Sequence, residues 1–265
     1  MSADATVPRT DRPLPPAAHS YDGERVETLA ERWQVPAVYA FDEVGSTLDV
    51  AHALAPRAES GTVVLAEQQT AGRGRHGRRW TSAPGAGVWL TIIERPRDVR
   101  ALDVLSLRCG LYSAEALDPL ASDRVRVKWP NDLYVRECKL GGILIETRWR
   151  GTSPEWVAIG FGLNVTPEHV AGAIGLSPGT TRVTALDRLL PALRRAAAAS
   201  RHLDDDERAR WRRRDIAVGR TASEPAAGIV AGISAAGELV ITNTDGRSSA
   251  YRSGSLTFAE PLTCS

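Results

Sequence analysis

Apolar positions recur along this chain with two different periods, and the changes of period divide it. Residues 22–34 place Val26, Leu29, Ala30 and Trp33 on one face, which predicts a short helix. Residues 38–41 read as a strand, and Ser46 can cap a helix running to about Leu54. Apolar runs at residues 62–66 and 88–93 predict buried strands. Residues 102–117 carry apolar spacings of three and four, which is a helix. Residues 125–128, 133–135, 142–146 and 157–164 follow as a run of strands. One or two amphipathic helices occupy residues 182–214, with Arg and Asp on a solvated face. From Ile216 the texture changes to short β segments at 228–233, 239–242, 249–251 and 255–258, with a hairpin turn at 243–246. The expected fold is α+β: a mixed β-sheet with helices over residues 21–214 and a small C-terminal β-barrel over residues 215–265. Residues 1–20, rich in Pro and polar side chains, predict a flexible tail.

Composition narrows the function classes. The 265 residues carry 33 basic and 32 acidic side chains, a net charge of +1. That balance argues against a dedicated nucleic-acid binder, while leaving room for a local basic patch. Cys109, Cys138 and Cys264 are odd in number and lack CxxC spacing, so neither a disulfide framework nor a structural zinc site is expected. The five histidines show no metal-ligand spacing. No run of about 18 apolar residues exists, and the N-terminus lacks the apolar core of a signal peptide, so no membrane association is expected and the cytoplasm is the expected compartment. Lys128 and Lys139 are the only lysines among the 33 basic residues. Two ammonium groups eleven positions apart in an arginine-rich chain are within reach of chance, and are also what is expected where a guanidinium does not serve.

Residues 72–80, Gly-Arg-Gly-Arg-His-Gly-Arg-Arg-Trp, alternate three glycines with four arginines and have no apolar period, so they form a loop. Glycine lets backbone approach a ligand closely, and arginine offers planar donors to phosphate or carboxylate. The spacing is neither a P-loop nor a dinucleotide turn. Three readings stand side by side: a loop for an anionic ligand, a solvated arginine-rich loop, and a nucleic-acid patch. Downstream, Pro130-Asn131-Asp132 is a turn between strands, where polar groups are commonly presented. Asp132 could hold Mg²⁺, and Lys139 could stabilise charge on a reacting carboxylate or phosphate. The plain alternative is a hairpin whose Asn and Asp only make the turn.

GRGRHGRRW, then KWPNDL with a lysine and GGILIE downstream, then IGFGLNV, together resemble the biotin protein ligase family over roughly residues 38–265. The resemblance implies the catalytic fold shared with class II aminoacyl-tRNA synthetases and lipoate ligases. It implies a reaction of biotin with ATP to give biotinyl-5′-adenylate, then transfer of biotin to one lysine of a biotin carboxyl carrier protein domain. On that resemblance Ser46, Thr47, Gln69, Arg73, Gly74, Arg75, Lys139, Gly142 and Ile143 bind biotin. Arg78, Trp80, Lys128, Asn131, Asp132 and Asn164 bind ATP or the adenylate, and Asp132 is the Mg²⁺ ligand. Lys139, Arg75 and Lys128 are the expected catalytic residues. Leu48 and His76 stand where the family often has Asn and Arg. Family members that regulate transcription carry an N-terminal DNA-binding domain; none fits before Tyr21, so a single-function ligase that does not bind DNA is expected, as a monomer or a ligand-dependent homodimer.

The implied chemistry agrees with the residues. A carboxylate attacking an α-phosphate gathers negative charge, which arginines, lysines and Mg²⁺ can stabilise. No enzyme nucleophile is required, and none of the cysteines lies in a motif. Two rivals remain: a lipoate or octanoate ligase or acyltransferase of the same fold, and an arginine-loop nucleic-acid-binding module.

Overall fold

Short unbroken apolar runs in the middle of the chain build one sheet buried on both faces. The computed structural model describes residues 14–96, 98–167 and 170–264. A two-stranded ribbon, β1 (Ser20–Tyr21) and β2 (Glu24–Arg25), leads into α1 (Val26–Trp33) and β3 (Val38–Val44). Then follow α2 (Thr47–Leu54), β4 (Thr62–Gln69), β5 (Gly87–Glu94) and α3 (Leu105–Leu117). The next four strands are β6 (Val125–Lys128), β7 (Asp132–Val135), β8 (Cys138–Arg150) and β9 (Ser153–Asn164). Two helices, α4 (Arg182–Ala198) and α5 (Asp205–Arg214), precede the C-terminal strands. β3 to β9 form a seven-stranded sheet in the order β3-β4-β5-β9-β8-β7-β6, parallel only between β3 and β4. That parallel pair needs a crossover, and α2 supplies it.

The two faces pack differently. Val63, Leu65, Val88, Leu90 and Ile92 point towards α1, α3 and α4 in the main core. Val64, Ala66, Ile93 and Ala158 point the other way and pack beneath α2 in a smaller one. α2 is short, so beyond its end this second face is left for something other than a helix. There β8 and β9 carry glycine: Gly142 pairs with Gly162, and Gly160 follows two residues along the same face. The longer-than-expected β8 and β9 are a meander whose far ends extend to Arg150 and Ser153.

β10 (Thr221–Glu224), β11 (Gly228–Ile233), β12 (Leu239–Thr242), β13 (Ser248–Tyr251) and β14 (Thr257–Phe258) form the C-terminal sheet, in the order β13-β12-β11-β10-β14. It is consistent with the small barrel-like domain expected but is left open, because β13 and β14 at its two edges do not pair with each other among the described residues. Trp129 Nε1 donates to the Gly237 carbonyl at 3.0 Å, and the Ile216 amide donates to the Val127 carbonyl at 2.9 Å, so this sheet is tied to the KWPND strand. α5 starts with a capping box between Asp204 and Glu207. Glu207 also accepts from Arg108 Nε and from Tyr112 Oη, each at 2.7 Å, which fixes α5 to α3.

Two expectations need correction. Cys138 and Cys264 are joined by a disulfide across 126 residues, with Cα atoms 4.7 Å apart. The C-terminal residues return to the start of β8, a long-range approach that spacing along the chain does not reveal. Cys109 stays free and buried, and burial pushes its thiol up to about 12. Of the expected tail, residues 1–13 lie outside the described residues, but the Ala18 amide donates to the Ala40 carbonyl at 2.7 Å, so residues next to β1 are docked on the edge strand. No helix among the described residues is long and apolar enough to cross a membrane.

Candidate active site

The glycine-bearing stretch of β8 and β9 is the floor of a cavity of about 150 Å³. A Cβ on Gly162 would lie 2.5 Å from Trp80 Cε2, and one on Gly142 would lie 3.2 Å from Trp80 Cζ3. The Trp80 indole therefore rests on backbone where side chains are missing. It stands edge-on to Trp89, centroids 6.4 Å apart, and its Nε1 is buried with no acceptor among the described residues.

One end of the cavity is a network of fixed polar groups at the start of α2. The Ser46 hydroxyl accepts from the Leu48 amide at 3.3 Å and caps the helix. Gln69 Oε1 accepts from the Thr47 amide at 2.9 Å and from its hydroxyl at 3.2 Å. Thr91 donates to the Thr47 hydroxyl at 2.8 Å, and Gln69 Nε2 donates to Ser82 at 3.0 Å. Leu48, where a polar residue was the family expectation, packs its side chain against Gly160 and lines the cavity with Ile143, Leu144 and Phe161. The wall next to the polar end is thus apolar.

The other end is cationic. Lys139 Nζ pairs with Asp132 Oδ1 at 2.8 Å and lies 5.1 Å from the Trp80 ring centre. Lys128 Nζ lies between Tyr134 and Phe258, 5.9 and 5.1 Å from their ring centres. Burial, reinforced by Lys139 and Arg78 and opposed by Asp132, holds the Lys128 ammonium below the usual lysine value. Asn131 braces the turn: its Nδ2 donates to the Ile143 carbonyl at 2.7 Å, and its carbonyl accepts from the Ile143 amide at 2.9 Å. Asp132 is the only carboxylate on the wall among the described residues.

The Gly-Arg segment closes over this end as an ordered reverse turn. The Gly74 amide donates to the Arg78 carbonyl at 2.7 Å, and the Trp80 amide to the Gly72 carbonyl at 2.9 Å. Residues Arg75–Gly77 form a single helical turn, with His76 at φ 55°. Arg79 donates to the Thr70 carbonyl at 3.1 Å, while the guanidinium groups of Arg75 and Arg78 have no hydrogen-bond partner among the described residues.

Of the residues singled out from sequence, Ser46, Thr47, Gln69, Arg73, Gly74, Arg75, Arg78, Trp80, Lys128, Asn131, Asp132, Lys139, Gly142 and Ile143 line this one cavity. Asn164 does not. It lies in the adjoining groove, where its Nδ2 donates to the Lys139 carbonyl at 3.1 Å and so holds that strand in place. Gly160 and Gly162 were visible in the IGFGLNV motif but not assigned a place. Ser255 and Leu256 enter the wall from just before β14; they were read as part of a 255–258 strand and given no place in the site.

Comparison with known proteins adds to this geometry. The model of the Biotin/lipoate A/B protein ligase family matches residues 40–164. The chain is 37% identical over 162 residues to the bifunctional ligase/repressor BirA of Salmonella typhimurium, covering 60% of this chain and 49% of that protein. It is 42% identical over 111 residues to the biotin–[acetyl-CoA-carboxylase] ligase of Mycobacterium tuberculosis, 40% of each. The chain thus matches about half or less of the length of these curated relatives. The solved structure of biotin protein ligase from Aquifex aeolicus in complex with biotin and ATP superposes with a TM-score of 0.69 at 25% identity, covering 84% of this chain and 99% of that one.

Proposed function

We propose that this chain, whose residues 40–164 match the model of the biotin/lipoate A/B protein ligase family, is a ligase of that family that activates biotin with ATP and passes it to a lysine of a biotin carboxyl carrier protein domain. The observation that carries the reading is the pairing of opposite ends in one cavity: a fixed polar network beside an apolar wall, facing two lysines and two unpartnered arginines. Biotin has the matching form, a polar ureido ring, an aliphatic chain and a carboxylate.

In this arrangement the Thr47–Gln69 network receives the ureido group, and Leu48, Ile143 and Phe161 enclose the chain. The carboxylate then reaches Lys139. One carboxylate oxygen attacks the α-phosphorus of ATP, and the bond to pyrophosphate breaks. Lys128, Lys139, Arg75 and Arg78 offset the charge that accumulates as these groups meet, three of them half-buried, where charges act more strongly than in open water. In the second half, the acceptor lysine's amine attacks the biotinyl carbonyl, AMP leaves, and the amine loses a proton. Positioning and electrostatics suffice, with no covalent enzyme intermediate.

Mg²⁺ belongs to this proposal. A single wall carboxylate fits an ion that takes most of its oxygens from phosphates and water. Asp132 Oδ2 would hold it, since Oδ1 is engaged with Lys139. When bound, the ion supplies charge neutralisation on the departing pyrophosphate. The same reading puts the enzyme in the cytoplasm, as a monomer or ligand-dependent homodimer that needs no DNA.

The test is pyrophosphate release from ATP and Mg²⁺, with biotin, lipoate or octanoate added in turn, in wild type and Lys139→Ala. We expect release with biotin alone, and a loss of about 100-fold or more in the variant, the scale of one removed charge-stabilising group. Release with lipoate or octanoate would keep the fold and change the substrate. Silence with all three acids would overturn the reading.

A further inference from the structure

Four arginines lie in the Gly-Arg loop, and they do not share one job. Arg75 and Arg78 face the cavity without protein partners among the described residues, so they are available to a ligand. Arg73 is already committed. Its Nη1 donates to both Asp49 carboxylate oxygens at 2.8 Å, and its Nη2 approaches Glu146 Oε1 at 3.4 Å. Asp49 lies in the first turn of α2 and Glu146 on β8, so the guanidinium bridges loop, helix and sheet.

Glu146 is itself held from behind. His52 Nε2 lies 2.9 Å from its Oε2, and Trp156 Nε1 lies 3.1 Å from His52 Nδ1. An indole N–H only donates, so His52 Nδ1 accepts and its proton sits on Nε2, aimed at Glu146. His52 is 9% exposed and Trp156 7%, so this part of the chain of contacts is rigid. The loop on the far side has its own backbone turn but little packing: none of residues Arg75–Gly77 is buried.

We infer that Glu146, seated by His52 and Trp156, is a positioning residue that together with Asp49 clamps Arg73 and so holds the Gly-Arg loop over the cavity. Arg73 is then the loop's anchor, and the expectation that it touches biotin gives way to a role one step removed. This inference rests on the ligase reading only for what the loop covers; the clamp itself does not depend on the ligand.

Trypsin reads the clamp directly, because the loop offers cleavage after Arg73, Arg75, Arg78 and Arg79, and the last three sites are present in every variant compared. Cleavage of a transiently open segment follows the population of the open form. Without ligand, Glu146→Ala should be cut in the loop roughly three- to tenfold faster than wild type, the scale of one lost charge-assisted hydrogen bond at a partly exposed site. Cleavage elsewhere and the circular dichroism melt should stay at wild-type values. Glu146→Gln, which keeps an acceptor, should restore most of the protection, and Arg73→Ala combined with Glu146→Ala should be no faster than Arg73→Ala alone. The ligand arm uses biotin and ATP: the clamp predicts a raised KM for biotin in Glu146→Ala with kcat within about twofold of wild type. Loop cleavage at the wild-type rate in both Glu146→Ala and Arg73→Ala would overturn the clamp. If Glu146→Ala does not fold, His52→Gln carries the same prediction. Absence of any biotin-dependent reaction in wild type would instead overturn the ligase reading and leave the proteolysis result standing.

Discussion

At Gly162 one added methyl group would take the space that the Trp80 indole occupies. The Cβ of an alanine would sit 2.5 Å from Trp80 Cε2 and 2.7 Å from its Nε1. The indole must move, and with it the cover over Lys139. We expect Gly162→Ala to weaken ligand binding about tenfold or more, at a stability cost of roughly 1–3 kcal/mol for overpacking. Calorimetric titration with biotin and ATP, alongside a thermal melt, checks both. Gly160 is a contrast: its added Cβ would meet Leu48 Cγ at 3.1 Å and the Leu144 carbonyl at 3.1 Å, so the same change there should be milder. The difference shows why two glycines on one strand face are not equivalent. One makes room for a rigid ring and the other for an aliphatic chain that can turn.

Among the elements, α5 ends at the junction with the C-terminal sheet on a buried acid. Asp215 Oδ2 accepts from Trp211 Nε1 at 3.2 Å and Oδ1 from the Ala217 amide at 2.8 Å, yet burial pushes its carboxyl up to about 6. The folded chain therefore holds this proton more tightly than the unfolded chain, where the value is 3.8. Its stabilising effect is complete below the unfolded value and is lost as pH rises towards 6. Against an Asp215→Asn reference, wild-type stability should fall by on the order of 3 kcal/mol between about pH 4 and 7, then level off. Denaturant titrations across that range check the sign, and a difference independent of pH would contradict it.

The elements also mark what the sequence could carry. β4, β5 and β9 were legible because a strand buried on both faces reads as an unbroken apolar run. α2 was legible through its cap at Ser46. β10 was not, since Thr221–Glu224 has a single buried residue and no alternation. The ribbon before α1 was absorbed into the helix, because the turn depends on Asp22 at φ 52° and Gly23, and apolar spacing does not report it. The site motifs were legible where function constrains consecutive residues. The Asp49–Arg73–Glu146–His52 set was not: its members come from three elements and meet only in the fold.

For the whole molecule, the Cys138–Cys264 bond closes a ring that includes α4, α5 and the C-terminal sheet. A cross-link over so long a loop restricts the unfolded chain and should contribute about 2–4 kcal/mol. Reduction with dithiothreitol, or Cys138→Ser, should lower the denaturation midpoint by the corresponding amount, with no change when the two are combined. The bond also sits beside the chemistry. Cys138 immediately precedes Lys139, and Thr263 donates to Glu137 at 2.9 Å through its amide, so the last residues of the chain brace the strand that presents the lysine.

The placement of both lysines in the cavity has a consequence outside it. A mixed anhydride that escapes its enzyme acylates whatever primary amines it meets. This surface carries guanidinium groups instead, and the two side-chain amines are engaged, one with Asp132 and the other between two aromatic rings. On the ligase reading proposed above, these side chains make the molecule a poor target for its own leaked product. Incubated with substrates and no acceptor, it should stay almost unlabelled by intact mass, while a lysine-rich bystander in the same tube takes up the tag.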